Sequence, residues 1–245
     1  MSLFTYLLTS VIPLKVAVIQ SNYLPWKGYF DIINDADVFV YYDEVKYTKN
    51  DWRNRNKIYS PNGLQWLTIP ISREAVKLKI SEVEIPNSSW QEAHFKAIYY
   101  AYKRAPFFSQ IEPLINETYM ERTWKSLIEL NRYLIEKISA NIGIQTAFTD
   151  SKNFNLSGEK VERLMGILTE LKATEYISGP AGRDYLSGSE HLFRKNGIKL
   201  TFKDYSFYPP YKQMKEPFTH QVSIIDLLAN IRIEEVKNYI WQYSL

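Results

Sequence analysis

Residues 15–43 constrain the fold of this chain more than any other segment, because they carry a complete strand–helix–strand pattern. "KVAVIQ" at 15–20 is a short, β-branched and continuously apolar run, which is typical of a strand buried on both faces of a parallel sheet. "KGYFDIIND" at 27–35 has the apolar spacing of a helix, and "DVFVYYD" at 37–43 has the composition of a second strand. Because such crossovers join parallel strands with a right-handed connection, the segment predicts a parallel sheet.

The remainder of the chain again alternates between strand and helix patterns. Further strands are predicted at 64–71, 77–86, 144–150, 174–179 and 198–205. Helices are predicted at 90–105, 111–143 (in two segments), 157–173 and 188–197, with a Ser89–Glu92 capping box on the first and Ser157 as the cap of the third. This alternation predicts an α/β protein with a Rossmann-like parallel sheet and helices on both faces. We expect residues 15–245 to form one domain with a helical insertion at about 88–143, preceded by an N-terminal extension at 1–14.

Composition and charge limit the classes of function. The formal net charge is +3 and the basic residues are spread along the chain, so no nucleic-acid partner is expected. The chain has no Cys and three His, which argues against a thiolate or imidazole metal site. A Mg²⁺ ion bound through carboxylates and substrate phosphates stays open, because such sites need few protein ligands. The apolar start "MSLFTYLLTSVIPL" lacks a basic n-region and is too short to span a bilayer, so we expect a cytoplasmic protein without membrane insertion.

Three unusual segments follow predicted strands, at 20–29, 43–56 and 178–185. Ligands of open α/β sheets bind beyond the carboxyl ends of the strands, so these segments are expected to form a pocket together. In the first segment, Gly28 permits close backbone approach at a helix start, where free N–H groups favour an anion such as phosphate. The alternative is that its aromatic side chains close the edge of the sheet. The predicted contact residues are Gln20, Asn22, Tyr23, Trp26, Lys27, Gly28 and Tyr29.

The second segment, "DEVKYTKNDWRNRNKI", is basic and contains one Trp. Guanidinium forks suit phosphate or carboxylate groups, and an indole offers a stacking face to a base or sugar. The alternative is a solvated loop whose charges contact nothing. The predicted contact residues are Lys46, Lys49, Trp52, Arg53, Asn54 and Arg55.

The third segment, "YISGPAGRDYLSG", is a Gly-rich loop that leaves a strand. Its backbone is expected to surround part of a ligand, although it matches neither a phosphate-binding loop nor the dinucleotide pattern. The alternative is a tight turn between strand and helix. The predicted contact residues are Ser178, Gly179, Gly182, Arg183, Asp184 and Tyr185.

His94 and Asp43 are the candidate catalytic residues, each as a general base. A lone His inside a helix is more often structural, and that alternative stays open for His94. His220 is expected either to cap the helix that follows it or to line the site. No nucleophile-elbow motif is present, so the sequence gives little support to hydrolase chemistry.

Segments spread in order over residues 16–230 resemble the WbqC-like protein family. The resemblance is carried by "VAVIQSNYLPWKGYFDIINDADVFVYYDEVKYTKNDWRNRNKI", "NGLQWLTIPI", "WQEAHFKAIYYAYKRAPFF", "YISGPAGRDYL" and "SIIDLLAN". Ser21 departs from the family, which more usually has Pro at this position. A second resemblance is to nucleotidyltransferase-like α/β enzymes, in which a His-x-Gly-His turn follows the first strand. Here that turn is Trp26-Lys27-Gly28-Tyr29, which keeps the Gly and lacks both His.

The first resemblance implies a transferase in surface-polysaccharide (O-antigen-type) biosynthesis. Such a protein is expected to add an aminoacyl group, for example glycyl, to a nucleotide-activated amino sugar. ATP would then activate the amino acid, because a free carboxylate is a poor acyl donor. Two alternatives are a nucleotidyltransferase-like enzyme that uses ATP or another NTP with Mg²⁺, and a non-catalytic protein that binds a nucleotide sugar. The resemblance assigns no catalytic residues and no oligomeric state.

Overall fold

The computed structural model describes residues 13–86 and 89–241. Most of the predicted extension at 1–14 lies outside the described residues. The division of the chain into an extension and one domain with a helical insertion stays a prediction.

A parallel sheet with the strand order β5-β2-β1-β6-β7 lies at the centre of the fold. Its strands are β1 (Lys15–Ile19), β2 (Val38–Tyr41), β5 (Ala147–Asp150), β6 (Glu175–Ser178) and β7 (Lys199–Phe202), while β3 (Arg55–Ser60) and β4 (Gly63–Thr68) form a separate hairpin. All four pairings within the sheet are parallel. The chain runs outward from β1 on one side and then returns to add β6 on the other, so β1 and β6 meet where the strand order reverses. This confirms the predicted Rossmann-like α/β fold.

The helices of the described residues cover the sheet and extend from it. They are α1 (Lys27–Asp35), α2 (Trp90–Tyr102), α3 (Glu112–Asn116), α4 (Leu127–Asn141), α5 (Val161–Glu170), α6 (Gly182–Leu186), α7 (Glu190–Lys195), α8 (Ile224–Asn230) and α9 (Lys237–Ile240). A single π-helical turn (Glu117–Glu121) continues α3 directly. None of these helices is both long and apolar enough to span a bilayer.

Alternate residues of β1 enter two different hydrophobic cores. Ala17 packs into the larger core, which contains residues of α1, α2, α4 and α8, while Val16 and Val18 pack into a smaller core with α5 and α7. Period-two alternation places successive side chains on opposite faces of a sheet, so helices cover both faces as predicted. The apolar run at 15–20 is explained by this burial on both sides.

The β3–β4 hairpin is the main departure from the predicted elements. The sequence predicts no strand between residues 44 and 63, but Arg55–Ser60 pairs with Gly63–Thr68 in an antiparallel ladder. The polar sequence of β3 conceals the strand, because its alternate residues face solvent or other polar groups. The strand predicted at 64–71 is present as β4, but it belongs to this hairpin and not to the parallel sheet.

Three smaller expectations are wrong. The predicted edge strand at 77–86 consists of short 3-10 turns with isolated bridges at Lys79 and Glu84. Ser89 occupies the N-cap position of α2, but its side chain makes no capping hydrogen bond. Helix α5 begins at Val161 after Lys160, so Ser157 does not cap it.

Candidate ligand-binding site

A cavity of about 540 Å³ opens between the loop after β1, the β3–β4 hairpin and the segment before α8. Its lining residues are Asn22, Pro25, Trp26, Trp52, Asn56, Lys57, Trp66, His220 and Gln221. The volume and the mixture of aromatic faces with a few polar groups are typical of small-molecule sites. Among the described residues that line it, no side chain is a carboxylate. The cavity is therefore neutral to positive.

The turn after β1 places Trp26 in the cavity wall. Trp26 occupies the N-cap position of α1, and its indole lies edge-on to Tyr205 with ring centroids 4.8 Å apart. A β-carbon on Gly28 would lie 2.7 Å from two indole carbons and closer still to a third. Gly28 therefore admits the indole of Trp26 against the first turn of α1. The close neighbour of Gly28 is this indole, and contact between Gly28 and an anionic ligand stays a prediction.

The hairpin contributes a second aromatic wall with two cations. The indoles of Trp52 and Trp66 have centroids 5.8 Å apart and are inclined by 34°. The Arg55 guanidinium carbon lies 4.3 Å from the centroid of the Trp66 ring, and the Lys57 ammonium nitrogen lies 4.8 Å from it. Trp52 and Trp66 are 45% and 42% exposed, which is unusual for a side chain of this size. An exposed indole pair beside two cations suits a ligand with a flat ring and a negative group.

Buried amide groups hold the β1 loop against the hairpin. Arg53 donates a hydrogen bond to the side-chain oxygen of Asn22, and the Asn56 side chain donates to the carbonyl of Leu24 at 2.7 Å. From α4, the Asn131 side chain donates to the carbonyl of Arg53 at 2.8 Å. These bonds connect the β1 loop, the hairpin and α4 in one unit.

His220 lines the cavity on the side of the segment before α8, and the buried Lys27 lies behind that wall. The His220 ring lies edge-on to Phe218, with centroids 4.5 Å apart, and its Nδ1 has no hydrogen-bond partner within the described ranges. Partial burial, together with the positive charge of Lys27, lowers the pKa of His220 to about 4. Burial lowers the pKa of Lys27 to about 8, and its ammonium nitrogen lies 4.5 Å from the Tyr208 ring centroid. At neutral pH His220 is therefore an uncharged imidazole, which can accept a hydrogen bond but is rarely protonated.

The structure places His94 away from this cavity, in a buried cluster between α2, the β1 loop and the π-helical turn. Its Nδ1 is 2.8 Å from the hydroxyl oxygen of Tyr23, which also hydrogen-bonds the hydroxyl of Tyr119. Burial lowers the pKa of His94 to about 4, although a hydrogen bond with the Thr68 backbone acts in the opposite direction. The arrangement is that of a neutral core histidine whose polar atoms are satisfied by neighbours, and it does not line the cavity.

Asp43 is also outside the cavity and is engaged in an ion-pair network. Its carboxylate accepts from the backbone N–H of Ser21 at 2.8 Å and from Arg132 at 2.7 Å, and Arg132 also contacts Asp150 at 2.5 Å. Burial raises the pKa of Asp43, while the Ser21 N–H and Arg132 oppose this shift. The network joins the ends of β2 and β5 to α4. Its geometry points to a structural role at the edge of the sheet.

Of the predicted contact residues, Asn22, Trp26 and Trp52 line the cavity. Arg53 and Arg55 contact residues that line it. Tyr23 and Tyr29 are buried behind the β1 loop, where the Tyr29 hydroxyl donates to the carbonyl of Gln20. The other residues predicted in the first two segments do not line the cavity either. Lys27 and Gly28 lie behind its wall, and the Asn54 side chain donates a hydrogen bond to the Ile69 carbonyl. Lys46 and Lys49 are exposed.

The segment 178–185 lies at the end of β6 and does not line the cavity. A β-carbon on Gly182 would crowd Ser178 and the ring of Phe202, and Arg183 lies over that same ring at 4.6 Å. Gly179 approaches Tyr205, which packs on Trp26, so this loop supports the wall from behind. Asp184 and Tyr185 are exposed. The geometry resembles the tight turn that we kept as the alternative for this segment.

Sequence reasoning does not identify Lys57, Trp66 or Gln221 as cavity residues, whereas Asn56 is the last residue of the predicted second segment. Lys57 follows Asn56, and the orientation of both toward the cavity depends on strand β3, which is not predicted from the sequence. Trp66 was assigned only to a strand of the parallel sheet. The alternation of polar and apolar residues in 55–60 and 63–68, separated by "PN", is a weak hairpin signal that points to these residues.

Among the described residues, no group of three or more His, Cys, Asp or Glu side chains is arranged to hold a metal ion. The fold and the cavity together define a Rossmann-like α/β protein with an aromatic, carboxylate-free pocket.

The chain belongs to the WbqC-like protein family, whose model matches residues 20–238. It is 41% identical over 221 residues to "Uncharacterized protein Rv1507c" of Mycobacterium tuberculosis (strain ATCC 25618 / H37Rv), which covers 90% of this chain and 95% of that protein. No solved structure matches the chain.

Proposed function

We propose that this protein binds a nucleotide-activated sugar in the cavity and acts as a transferase on that sugar during surface-polysaccharide biosynthesis. The observation that supports binding is the cavity wall itself. Indole faces of Trp26, Trp52 and Trp66 suit the flat apolar faces of sugars and bases, and the amides of Asn22 and Gln221 suit hydroxyl groups.

The absence of carboxylates among the described lining residues, with Lys57 in the wall, favours an anionic ligand over a neutral glycan. Diphosphate groups of an activated sugar satisfy this requirement. An amino-sugar acceptor and an aminoacyl donor, for example a glycyl donor activated with ATP, are the finer form of the proposal and rest on the family resemblance.

His220 is placed to orient the reacting sugar. Its imidazole is neutral at pH 7, because its pKa is about 4, so it accepts a hydrogen bond from a ligand hydroxyl or amine. An imidazole of this basicity is a weak base toward an alkylammonium group. In this proposal the sugar amine therefore enters as the free base, and His220 positions it for attack on the activated acyl carbon. The amide bond forms as the bond from that carbon to its leaving group breaks (AMP, where ATP has activated the amino acid), and the proton of the amine passes to solvent.

A non-catalytic binding protein is the second candidate, and one observation favours it. Both predicted general bases, His94 and Asp43, lie outside the cavity and are engaged by neighbouring groups. A protein that only binds its ligand needs no base in the pocket.

Ligand binding is tested by thermal unfolding of the protein with UDP-, dTDP- and GDP-sugars, with and without Mg²⁺. A ligand at about 100 times its Kd stabilises the folded state by about 2.7 kcal/mol, which raises the Tm measurably. We expect one nucleotide sugar to raise the Tm, and Trp26→Leu to abolish the effect. Failure of every nucleotide sugar to raise the Tm would refute the proposed ligand class.

Turnover separates the two candidates once a ligand is found. ATP consumption that depends on both an amino acid and the bound amino sugar supports the transferase. Tight binding without consumption of either compound supports the non-catalytic protein. Pyrophosphate release without aminoacyl transfer would instead support nucleotidyl transfer.

A further inference from the structure

Arg55 and Lys57 differ from most buried or half-buried cations near the site, because neither has an ion-pair partner in the part of the chain that the structure describes. Arg53 is 3.4 Å from Asp51, Arg132 contacts two carboxylates, and Lys203 contacts Asp31 and Asp35. The two side chains at 55 and 57 instead use the indole of Trp66. The Asp51 carboxylate interacts with the charge of Arg55 only at a longer range than an ion pair. The two cations therefore still repel one another, and a bound anion would relieve that repulsion.

The β3–β4 register explains how both cations reach the same ring. Residues 55 and 57 lie two positions apart on β3 and so point to the same face of the hairpin. Lys57 is directly opposite Trp66 on β4, and Arg55 is on the diagonal. Both cations lie over the ring of Trp66. Within the described ranges neither side chain donates a hydrogen bond to the protein, so their donors are available to an oxyanion.

Trp52 completes this surface from the loop before β3. The carboxylate of Asp51 accepts hydrogen bonds from the Thr48 hydroxyl and from the Trp52 backbone N–H, both at 2.7 Å, which fixes the loop. Tyr23 donates its backbone N–H to the Trp52 carbonyl at 2.9 Å. Trp52 is thus tied to the wall of the cavity while its indole remains 45% exposed.

We infer that the hairpin platform, defined as Trp52, Arg55, Lys57 and Trp66, binds the nucleoside diphosphate part of the ligand. The base stacks on an indole, and the diphosphate contacts the guanidinium and the ammonium group. The sugar part then lies toward Trp26 and His220 at the other side of the cavity. This inference rests on the proposed function, to which it adds the orientation of the ligand and the residues that select it.

The test measures Kd by calorimetry for UDP, dTDP and GDP, for the nucleotide sugar found by thermal unfolding, and for geranyl diphosphate, which has no base. The variants are Arg55→Gln and Lys57→Gln, singly and together. The double variant Arg194→Gln/Lys195→Gln is the matched control, because it removes one Arg and one Lys from exposed positions of α7. Circular dichroism and thermal unfolding establish that each variant is folded.

We expect a nucleoside diphosphate to bind without its sugar, and each substitution in the platform to weaken it roughly tenfold to a hundredfold, as for lost charge-assisted hydrogen bonds. The control leaves Kd unchanged. Trp66→Leu weakens nucleoside diphosphates more than geranyl diphosphate, because both ligands lose the ring that holds the two cations and only the nucleotides also lose a stacking face. Higher ionic strength weakens the wild type more than the double platform variant.

The outcomes separate this inference from the proposed function. If a nucleotide sugar binds and requires Trp26, but Arg55→Gln/Lys57→Gln retains full affinity, the platform is wrong and the proposed function stands. If a nucleoside diphosphate binds through the platform and no nucleotide sugar binds, the platform stands and the proposed function is wrong. Geranyl diphosphate binding as tightly as the nucleotides would overturn base recognition by the indoles and indicate a lipid-linked diphosphate.

Discussion

Replacing Gly28 by Ala tests the packing that forms the cavity wall. The new β-carbon would lie 2.7 Å from two indole carbons of Trp26, whereas ordinary contact begins at 3.4 Å. A third indole carbon is closer still, so the indole must move by more than about 1 Å away from α1, which changes its edge-on contact with Tyr205. Overpacking of this kind costs about 1–3 kcal/mol, while Ala in place of Gly in a helix gains up to about 1 kcal/mol. We expect a net loss of about 1 kcal/mol in the free energy of unfolding.

Urea unfolding measures this loss, and near-ultraviolet circular dichroism reports the changed surroundings of the indole. In the background of Trp26→Leu, the same Gly28→Ala change should be neutral or stabilising by up to about 1 kcal/mol, because the clash is absent. Gly179→Ala is the matched control, since the nearest atoms to its β-carbon are 3.7 Å away and the substitution has room. It should leave stability unchanged or raise it by about 0.4–1 kcal/mol.

A Gly28→Ala protein that is more stable than the wild type, with an unchanged indole spectrum, would refute the argument. It would mean that the indole does not lie against the first turn of α1. The wall of the cavity would then have another shape, and ligand affinity should survive the substitution. If the indole does lie against α1, Gly28→Ala should lower the ligand affinity together with the free energy of unfolding.

Three further substitutions test the groups around the sheet edge. The pKa of His94 is lowered from 6.5 to about 4, so the unfolded chain binds a proton at this residue more tightly than the folded protein does. The contribution of His94 to the free energy of unfolding is therefore full above about pH 6.5 and falls by about 3 kcal/mol toward pH 4. Urea titrations of the wild type and of His94→Gln at several pH values measure this slope as the difference between the two proteins. Arg132→Met leaves the fully buried Asp43 without its cation and should lower the free energy of unfolding by about 3–5 kcal/mol. Lys152→Met removes an exposed cation and should change the free energy of unfolding by less than about 1 kcal/mol. Equal effects of the two substitutions in urea unfolding would contradict the burial argument. Gly182→Ala places a β-carbon 3.1 Å from a serine β-carbon and should lower the free energy of unfolding by about 1–3 kcal/mol without changing ligand affinity measured by calorimetry.

The candidate site was predictable in part. The chemistry of a residue can be read from the sequence, but which distant residues meet in one cavity cannot. Trp26 and Trp52 are conspicuous in the sequence, and each follows a predicted strand. Trp66 is equally conspicuous, but its place in the cavity depends on an antiparallel pairing that the polar sequence of β3 does not reveal. His94 and Asp43 are chemically suitable as general bases, but the fold engages both with neighbouring groups outside the cavity. Whether a titratable side chain faces a pocket or a neighbour depends on the packing of distant segments.

The sequence by itself determined the parallel sheet, because the apolar run of β1 and the short crossover through α1 allow few other structures. Period-two burial also required helices on both faces. Only the tertiary structure decided that the hairpin folds over the β1 loop and that Gly28 accommodates the indole of Trp26. It also decided that His220, 194 residues after Trp26 in the chain, closes the same cavity. Local patterns report which face of an element is buried, while the partner of that face is set by long-range packing that no local pattern contains.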